Sequence, residues 1–271
     1  MKSFHNILLF SDVDGTIAWS SEYINPKNFD AIRYFINHGG HFAFSSGRNH
    51  KDIFHILPNL KELVNMPCIL CNGSYLYDAN TGDILNPQYL DSTHAVKLLR
   101  EVNHDFPDVG FRVTVRGGFL VPSGNETILR QLSEWGISDL STICDITEFD
   151  GCQWFKAVFI AKPPTLLQVA EYIEKNYSDY FTLTRSSNFS LELQPLGVSK
   201  SFPFPFFRSL YPGAVLYAIG DFDNDAEMLR AADVAACPEN ASEAIKKIAS
   251  IHVCHCKDGA IAELIEKIKE T

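Results

Sequence analysis

Two stretches concentrate the groups that could do chemistry. The first is Asp12-Val13-Asp14-Gly15-Thr16, and the second is Gly220-Asp221-Phe222-Asp223-Asn224-Asp225. Either one alone reads as a solvated turn, because Asp, Asn and Gly are favoured turn residues. Their setting argues otherwise. Each follows an unbroken apolar run, residues 7–10 and 214–219, of the kind that forms a strand buried on both faces of a parallel sheet. Ligands of such sheets sit beyond the carboxyl ends of the strands, so both acid groups are expected at one edge. Together, Asp12, Asp14, Asp221 and Asp225 repel one another unless a cation sits among them. A hard divalent ion with oxygen ligands resolves that, and Mg²⁺ suits a site that also handles phosphate. Ser46 and Lys200 add a hydroxyl and a positive charge for an anion. The set reads as an apparatus for phosphoryl transfer.

The elements that must position these groups follow from periodicity. Phe29, Ile32, Phe35 and Ile36 lie at helical spacing within residues 28–37, and Gly39-Gly40 ends that helix. A strand at 41–44 runs into Ser45-Ser46-Gly47-Arg48, with a helix near 51–57. A third strand, 67–71, ends in Asn72-Gly73, and residues 75–77 and 84–85 read as a hairpin. This order predicts an α/β fold with a doubly wound, mostly parallel, Rossmann-like sheet. The pattern then changes. Helices are expected at 92–103, 128–134 and 165–177, and strands at 111–115, 119–121, 154–161, 181–184 and 190–193. That is an inserted α+β cap, residues 89–193, within a core made of residues 1–88 and 194–271. The first pattern resumes with a strand at 214–219, a helix at 226–232, strands at 233–236 and 252–253, and a helix at 261–268. Pro203 and Pro205 must begin rather than interrupt the helix after Lys200.

A chain of 271 residues can bury a substantial core in one or two domains. Its net charge of −10 argues against non-specific binding to nucleic acid or an anionic membrane. No apolar run approaches the ~20 residues of a membrane helix. No long apolar segment precedes the first strand, so a cytoplasmic protein is expected rather than an exported one. Seven cysteines, an odd number without framework spacing, fit free thiols in a reducing compartment. Cys68-x-x-Cys71 lies in an apolar strand and reads as buried thiols. His252-Val253-Cys254-His255-Cys256 lacks the distant second half of a zinc site.

The ordered series Asp12-x-Asp14-Gly15-Thr16, Ser46-Gly47-Arg48, Lys200 and Gly220-Asp221-x-x-Asn224-Asp225 resembles the haloacid dehalogenase-like superfamily. The insertion between the second and third motifs resembles that of its Cof-type (class IIB) phosphatases. Asn72-Gly73, Gly197-Val198-Ser199-Lys200, Met228, Asn240-Ala241 and Asp258-Gly259 match the same pattern. The resemblance implies that Asp12 is a nucleophile forming an aspartyl-phosphate. It implies that Asp14 protonates the leaving alcohol and then deprotonates water, for which a raised pKa is expected. By the same resemblance Ser46, Gly47 and Lys200 hold phosphoryl oxygens, and Asn224 orients phosphate or Lys200. Asp12, Asp221 and the main-chain carbonyl of Asp14 would ligate Mg²⁺, with Asp225 supporting from the edge. Ser46 stands where Thr is more usual, and Phe222 where a small polar residue is common.

The insertion is expected to act as a lid, excluding water and contacting the leaving group. Candidate substrate contacts are Arg48, Asn72, Arg185, Asn188 and Glu192, each with an alternative as a surface or hinge residue. The leading expectation is a Mg²⁺-dependent phosphatase of small phosphorylated metabolites, with sugar phosphates the expected class, in a monomer or weak homo-oligomer. A phosphomutase, whose lid retains the product for phosphate return, is one alternative. A non-catalytic regulator carrying phospho-Asp12 is another, and Asp14 argues against it, since a switch needs no proton shuttle.

Overall fold

The strand Ile7–Ser11 lies inside a five-stranded parallel sheet in the computed structural model, which describes residues 3–20, 23–149 and 151–270. The spatial order is Ile251–Val253, Val234–Pro238, Val215–Ile219, Ile7–Ser11, His41–Phe44. Leu8, Leu9 and Phe10 are all buried, so the strand has no solvent face and its sequence shows no alternation. Phe10 packs against Phe204 and Phe207, with ring centroids 5.3 and 4.8 Å away. Those rings belong to the helix Phe204–Leu210, which has Pro203 at its N-cap and Pro205 in its first turn. The missing N–H groups cost nothing there, so the prolines start the helix.

Register decides what the sheet presents at its carboxyl edge. Ser11 is level with Ile219 on one side and with Phe44 on the other. Asp12, Gly220 and Ser45 therefore leave the sheet side by side. A parallel bridge between Ser45 and Ile69 attaches the strand Cys68–Leu70, which opens an antiparallel meander with Tyr75–Tyr77 and Ile84–Leu85. The third strand was expected at 67–71. It stops earlier because Cys71 and Asn72 take positive φ and turn the chain.

A second sheet has the order Ser141–Cys144, Gly118–Pro122, Gly110–Val115, Lys156–Ile160, Ser190–Pro195, Phe181–Ser187. Alternation sorts its side chains. Phe111, Val113, Ala157, Phe159, Leu191 and Leu193 form one core with the helices Ser92–Asp105 and Pro163–Tyr177. On the other face, Phe119, Val121, Val158 and Ile160 meet the helix Glu126–Glu134. The rest of that face looks toward the first sheet. Elements not expected include the edge strand Ser141–Cys144, the small hairpin of Ala18–Ser20 with Tyr23–Ile24, and the short helix Glu243–Lys246. The last strand of this unit was expected to close at 193, and it runs on to Pro195.

Trp154 and Phe155 were expected to open a strand, which instead begins at Lys156. Phe155 packs into the core of the first sheet, not its own. Its ring lies 4.5 Å from that of Tyr75 and 5.1 Å from that of Tyr89, and its carbonyl accepts a 2.9 Å hydrogen bond from Ser74 Oγ. The two units are thus pinned together by one buried aromatic. Phe155→Ala should lower unfolding free energy by about 3–5 kcal/mol, the usual loss for a buried Phe. Urea melts followed by tryptophan fluorescence check this, and a loss below 1 kcal/mol, well under the usual range, would contradict the pin.

Candidate active site

The site begins with two close approaches of main chain that need glycine. Gly15 has φ +81°, and a Cβ there would lie 2.3 Å from Asp221 Oδ2. Only a residue without a side chain lets the first acid loop lie against the second. Gly73 has φ +93°, and a Cβ on it would fall 2.0 Å from the carbonyl oxygen of Ser199. That contact brings the loop before Lys200 under the sheet edge.

Lys200 is fully buried and donates from Nζ to Asp12 Oδ1 and to Asp225 Oδ1, both at 2.6 Å. Asp225 is fixed from its other oxygen, which accepts from the main-chain N–H groups of Asp221 at 3.0 Å and Phe222 at 3.2 Å. Asp221 Oδ1 accepts from Thr16 Oγ1 at 3.1 Å. Burial pushes Asp12 up to about 7, with Lys200 opposing and Asp225 and Asp14 adding to the rise. Burial, then Asp12 and Asp225, push Asp221 up to about 9. Burial pulls Lys200 down, but Asp12 and Asp225 outweigh it and hold it above its ordinary value.

One oxygen each from Asp12, Asp221 and Asp225 lie within 4.8 Å of one another. Without a cation, burial favours the protonated form of Asp221; with all three acids ionised, the one ammonium leaves two negative charges, which one divalent cation would balance. An all-oxygen donor set suits a hard ion such as Mg²⁺. The residues fit that ion, with Asp225 committed largely to Lys200 and the two amides. The carboxylate of Asp14 stands outside the cluster and belongs to Arg48, which grips it from Nε at 2.7 Å and Nη2 at 2.8 Å.

A family model for haloacid dehalogenase-like hydrolases matches residues 9–265, a span that holds both acid loops and the buried lysine. The chain belongs to the haloacid dehalogenase-like hydrolases. Phosphatase YwpJ of Bacillus subtilis is 23% identical, over 96% of this chain and 99% of its own. Pyridoxal phosphate phosphatase YbhA of Escherichia coli is 22% identical, over 94% of this chain and 95% of its own. Among solved structures, the subclass IIB sugar phosphatase BT4131 superposes with a TM-score of 0.83 at 17% identity, covering 97% of this chain and 99% of that one.

Within this hydrolase fold, residues around both sheets line a cleft of about 570 Å³. Asp12, Asp14, Gly47, Arg48, Asp221 and Asn224 line it beside the first sheet, Glu192 from the second, and Asn188 from the turn before the strand Ser190–Pro195. Ser46 is buried behind Gly47, and its Oγ accepts from the N–H of Arg48 at 3.1 Å. Asn72 sits at φ 53°, ψ 38°, which Asn tolerates better than most residues. Its Nδ2 donates to Glu192 Oε2 at 2.6 Å, and its Oδ1 accepts from Asn224 Nδ2 at 3.4 Å. Glu192 also takes Lys156 Nζ at 2.5 Å, so it ties core to cap instead of standing free for substrate. Arg185 is half-buried on its strand and is not among the residues lining the cleft. Asn224 meets Asn72, with Lys200 held by acids.

One expectation is reversed. A raised pKa was expected for Asp14. Burial does push it up, but Arg48 outweighs burial and holds it below the ordinary carboxylate value. In this arrangement Asp14 is held in its ionised form, and Arg48 is its partner rather than a free substrate contact. Burial pushes the Cys68 and Cys71 thiols up to about 12, which makes them inert packing groups. Sequence reading missed Arg112, Lys156 and Asp52, which also line the cleft. The signal for the first two was present: charged residues at alternate positions of otherwise apolar strands.

Removing Lys200 leaves Asp12 and Asp225 buried without their counter-ion. Lys200→Met should destabilise the metal-free protein by about 3–5 kcal/mol. Added Mg²⁺ should restore part of that loss. Urea titrations with and without Mg²⁺ measure both, and an unchanged midpoint in metal-free buffer would contradict the charge balance described.

Proposed function

We propose that this hydrolase is a Mg²⁺-dependent phosphatase of small phosphorylated metabolites, sugar phosphates among them, working through an aspartyl-phosphate on Asp12. The observation that carries the reading is the pairing of two acids in one cleft with different holders. Asp12 is buried on Lys200 within the acidic cluster, and Asp14 faces the cleft on Arg48, its side chain 51% exposed. One is set up to attack and the other to move a proton.

In this reading a carboxylate oxygen of Asp12 attacks phosphorus and the bond to the leaving oxygen breaks. Asp14, having first taken up a proton from solvent, gives that oxygen the proton and is left ionised. Since Arg48 favours the ionised form, the acid role needs its grip loosened, and an incoming phosphate dianion competes for the same guanidinium. Asp14 then takes a proton from water, which attacks the aspartyl-phosphate and releases inorganic phosphate. Lys200, the Ser46 hydroxyl and the N–H groups of the loop at Gly47 offset charge on the transferring phosphoryl oxygens. Asp12, Asp221 and the carbonyl of Asp14 would hold Mg²⁺, with Asp225 behind them, and the bound ion would supply further charge to the phosphoryl group. Residues 89–193 serve as the lid over this cleft. The names of the relatives support a phosphomonoester substrate, since one acts on pyridoxal phosphate and another is a sugar phosphatase.

Three measurements test the reading. EDTA should abolish phosphate release and Mg²⁺ should restore it, and full activity in metal-free protein would remove the ion from the scheme. Asp12→Asn should lower kcat by at least ~10³ while substrate still binds; activity within tenfold of wild type would exclude Asp12 as the nucleophile. Asp14→Asn should slow the first step with an alkyl phosphate by about 10²–10⁴. With p-nitrophenyl phosphate, whose leaving group needs no proton, the same step should suffer far less. Burst kinetics separate that step from hydrolysis, and equal losses with both substrates would show that Asp14 moves no proton.

A further inference from the structure

The face of the second sheet that looks across the cleft carries three charged side chains on neighbouring strands. Register sets Arg112 opposite Val158, and Val158 opposite Glu192. Lys156 lies two residues before Val158 and shares its face. Glu192 and Lys156 are committed to each other, and Glu192 to Asn72 as well. Asp52, the other carboxylate acting on Arg112, is held by Arg48 Nη1 at 2.7 Å. Arg112 is the cation left over. It is 7% exposed and lines the cleft. Its Nε and Nη1 have no hydrogen-bond partner, and among the described residues no carboxylate forms an ion pair with it.

A guanidinium stays charged and carries five N–H donors, so burying it without acceptors is costly. The rings of Phe119 and Trp135 lie 4.0 and 5.3 Å from its carbon. Stacking of this kind offsets part of the cost and fixes the plane of the group. It leaves Nε and Nη1 without acceptors, and the forks that each of them makes with Nη2 match a carboxylate or phosphate. Trp135, Ile137 and Val158 give the same wall an apolar surface.

We propose that Arg112 is the specificity-determining contact of this cleft, binding a second anionic group of the substrate at the end remote from the transferred phosphoryl group. The proposal rests on the phosphatase reading and narrows it: the preferred substrate is a phosphomonoester with another carboxylate or phosphate, not a neutral sugar phosphate. The two anion types share one recognition chemistry, and matched substrates separate them. 3-Phosphoglycerate against glycerol 3-phosphate, and phosphoserine against phosphoethanolamine, isolate the carboxylate. Fructose 1,6-bisphosphate against fructose 6-phosphate isolates the second phosphate.

Wild type should favour the acidic member of at least one kind of pair by about tenfold or more in kcat/KM, chiefly through KM. Arg112→Gln should erase that preference while p-nitrophenyl phosphate turnover stays within about threefold, and Arg112→Lys should keep part of it. Calorimetric binding of the same pairs to Asp12→Asn protein should show the same order without turnover. Absence of any acidic preference in wild type, in turnover and in binding, overturns the proposal even where neutral esters are hydrolysed. Equal loss of all substrates in Arg112→Gln also overturns it and makes Arg112 a packing residue. Binding of acidic members through Arg112 without turnover refutes the phosphatase reading and leaves the anion site standing. Should Arg112→Gln fail to fold, the wild-type preference decides.

Discussion

The buried ammonium of Lys200 sets the terms for everything around it. A charge taken out of water is tolerated only where opposite charge meets it at close range. Asp12 and Asp225 do so, and they come from strands on either side of the sheet's central pairing. Those acids are then too many for one lysine, since Asp221 joins them. The surplus leaves a buried acidic cluster at the sheet edge that could hold a divalent ion. Positive φ at Gly15 and Gly73 is the steric counterpart of this electrostatic demand, because both let main chain come close enough for the charges to meet.

A second network, less charged, links the two sheets. Asn72 reaches Glu192, Glu192 reaches Lys156, and the main-chain N–H of Asn72 donates to Ser46. The loop at Ser46 and Gly47 is thereby attached to the cap as well as to the core. Its spacing is tight: a Cβ on Gly47 would lie 3.1 Å from Asn72 Oδ1. Any displacement of the second sheet relative to the first must break or carry these hydrogen bonds, so the loop at Ser46 and Gly47 is coupled to the second sheet by direct contact.

The central sheet was legible because strands buried on both faces must be apolar at every position, as in residues 7–10 and 214–219. The acid loops were legible because they follow those runs abruptly. Ser141–Cys144 was not, since an edge strand half in solvent needs no apolar signature. The state of Asp14 was out of reach for another reason. It depends on Arg48, 34 residues away, and on how the loop after His41–Phe44 turns. Arg112 shows the same limit. Alternation in Gly110–Val115 separates it from Phe111 and Val113, but local sequence cannot say which carboxylates across the sheet are already engaged.

The pairing of Ile7–Ser11 with Val215–Ile219 has a consequence for the chain as it is made. The first strand of the core emerges from the ribosome some 200 residues before its interior neighbour does. At ordinary synthesis rates of about 5–20 residues per second, that is a wait of roughly 10–40 s with one strand edge open. An open apolar edge invites pairing with other chains, and long-range parallel pairing is slow to form. The intervening second sheet, whose strand pairings all lie within residues 110–195, has that time in which to fold. The nascent protein thus carries a finished second sheet before its first sheet closes, and its need for chaperones should peak just before residue 219 is exposed.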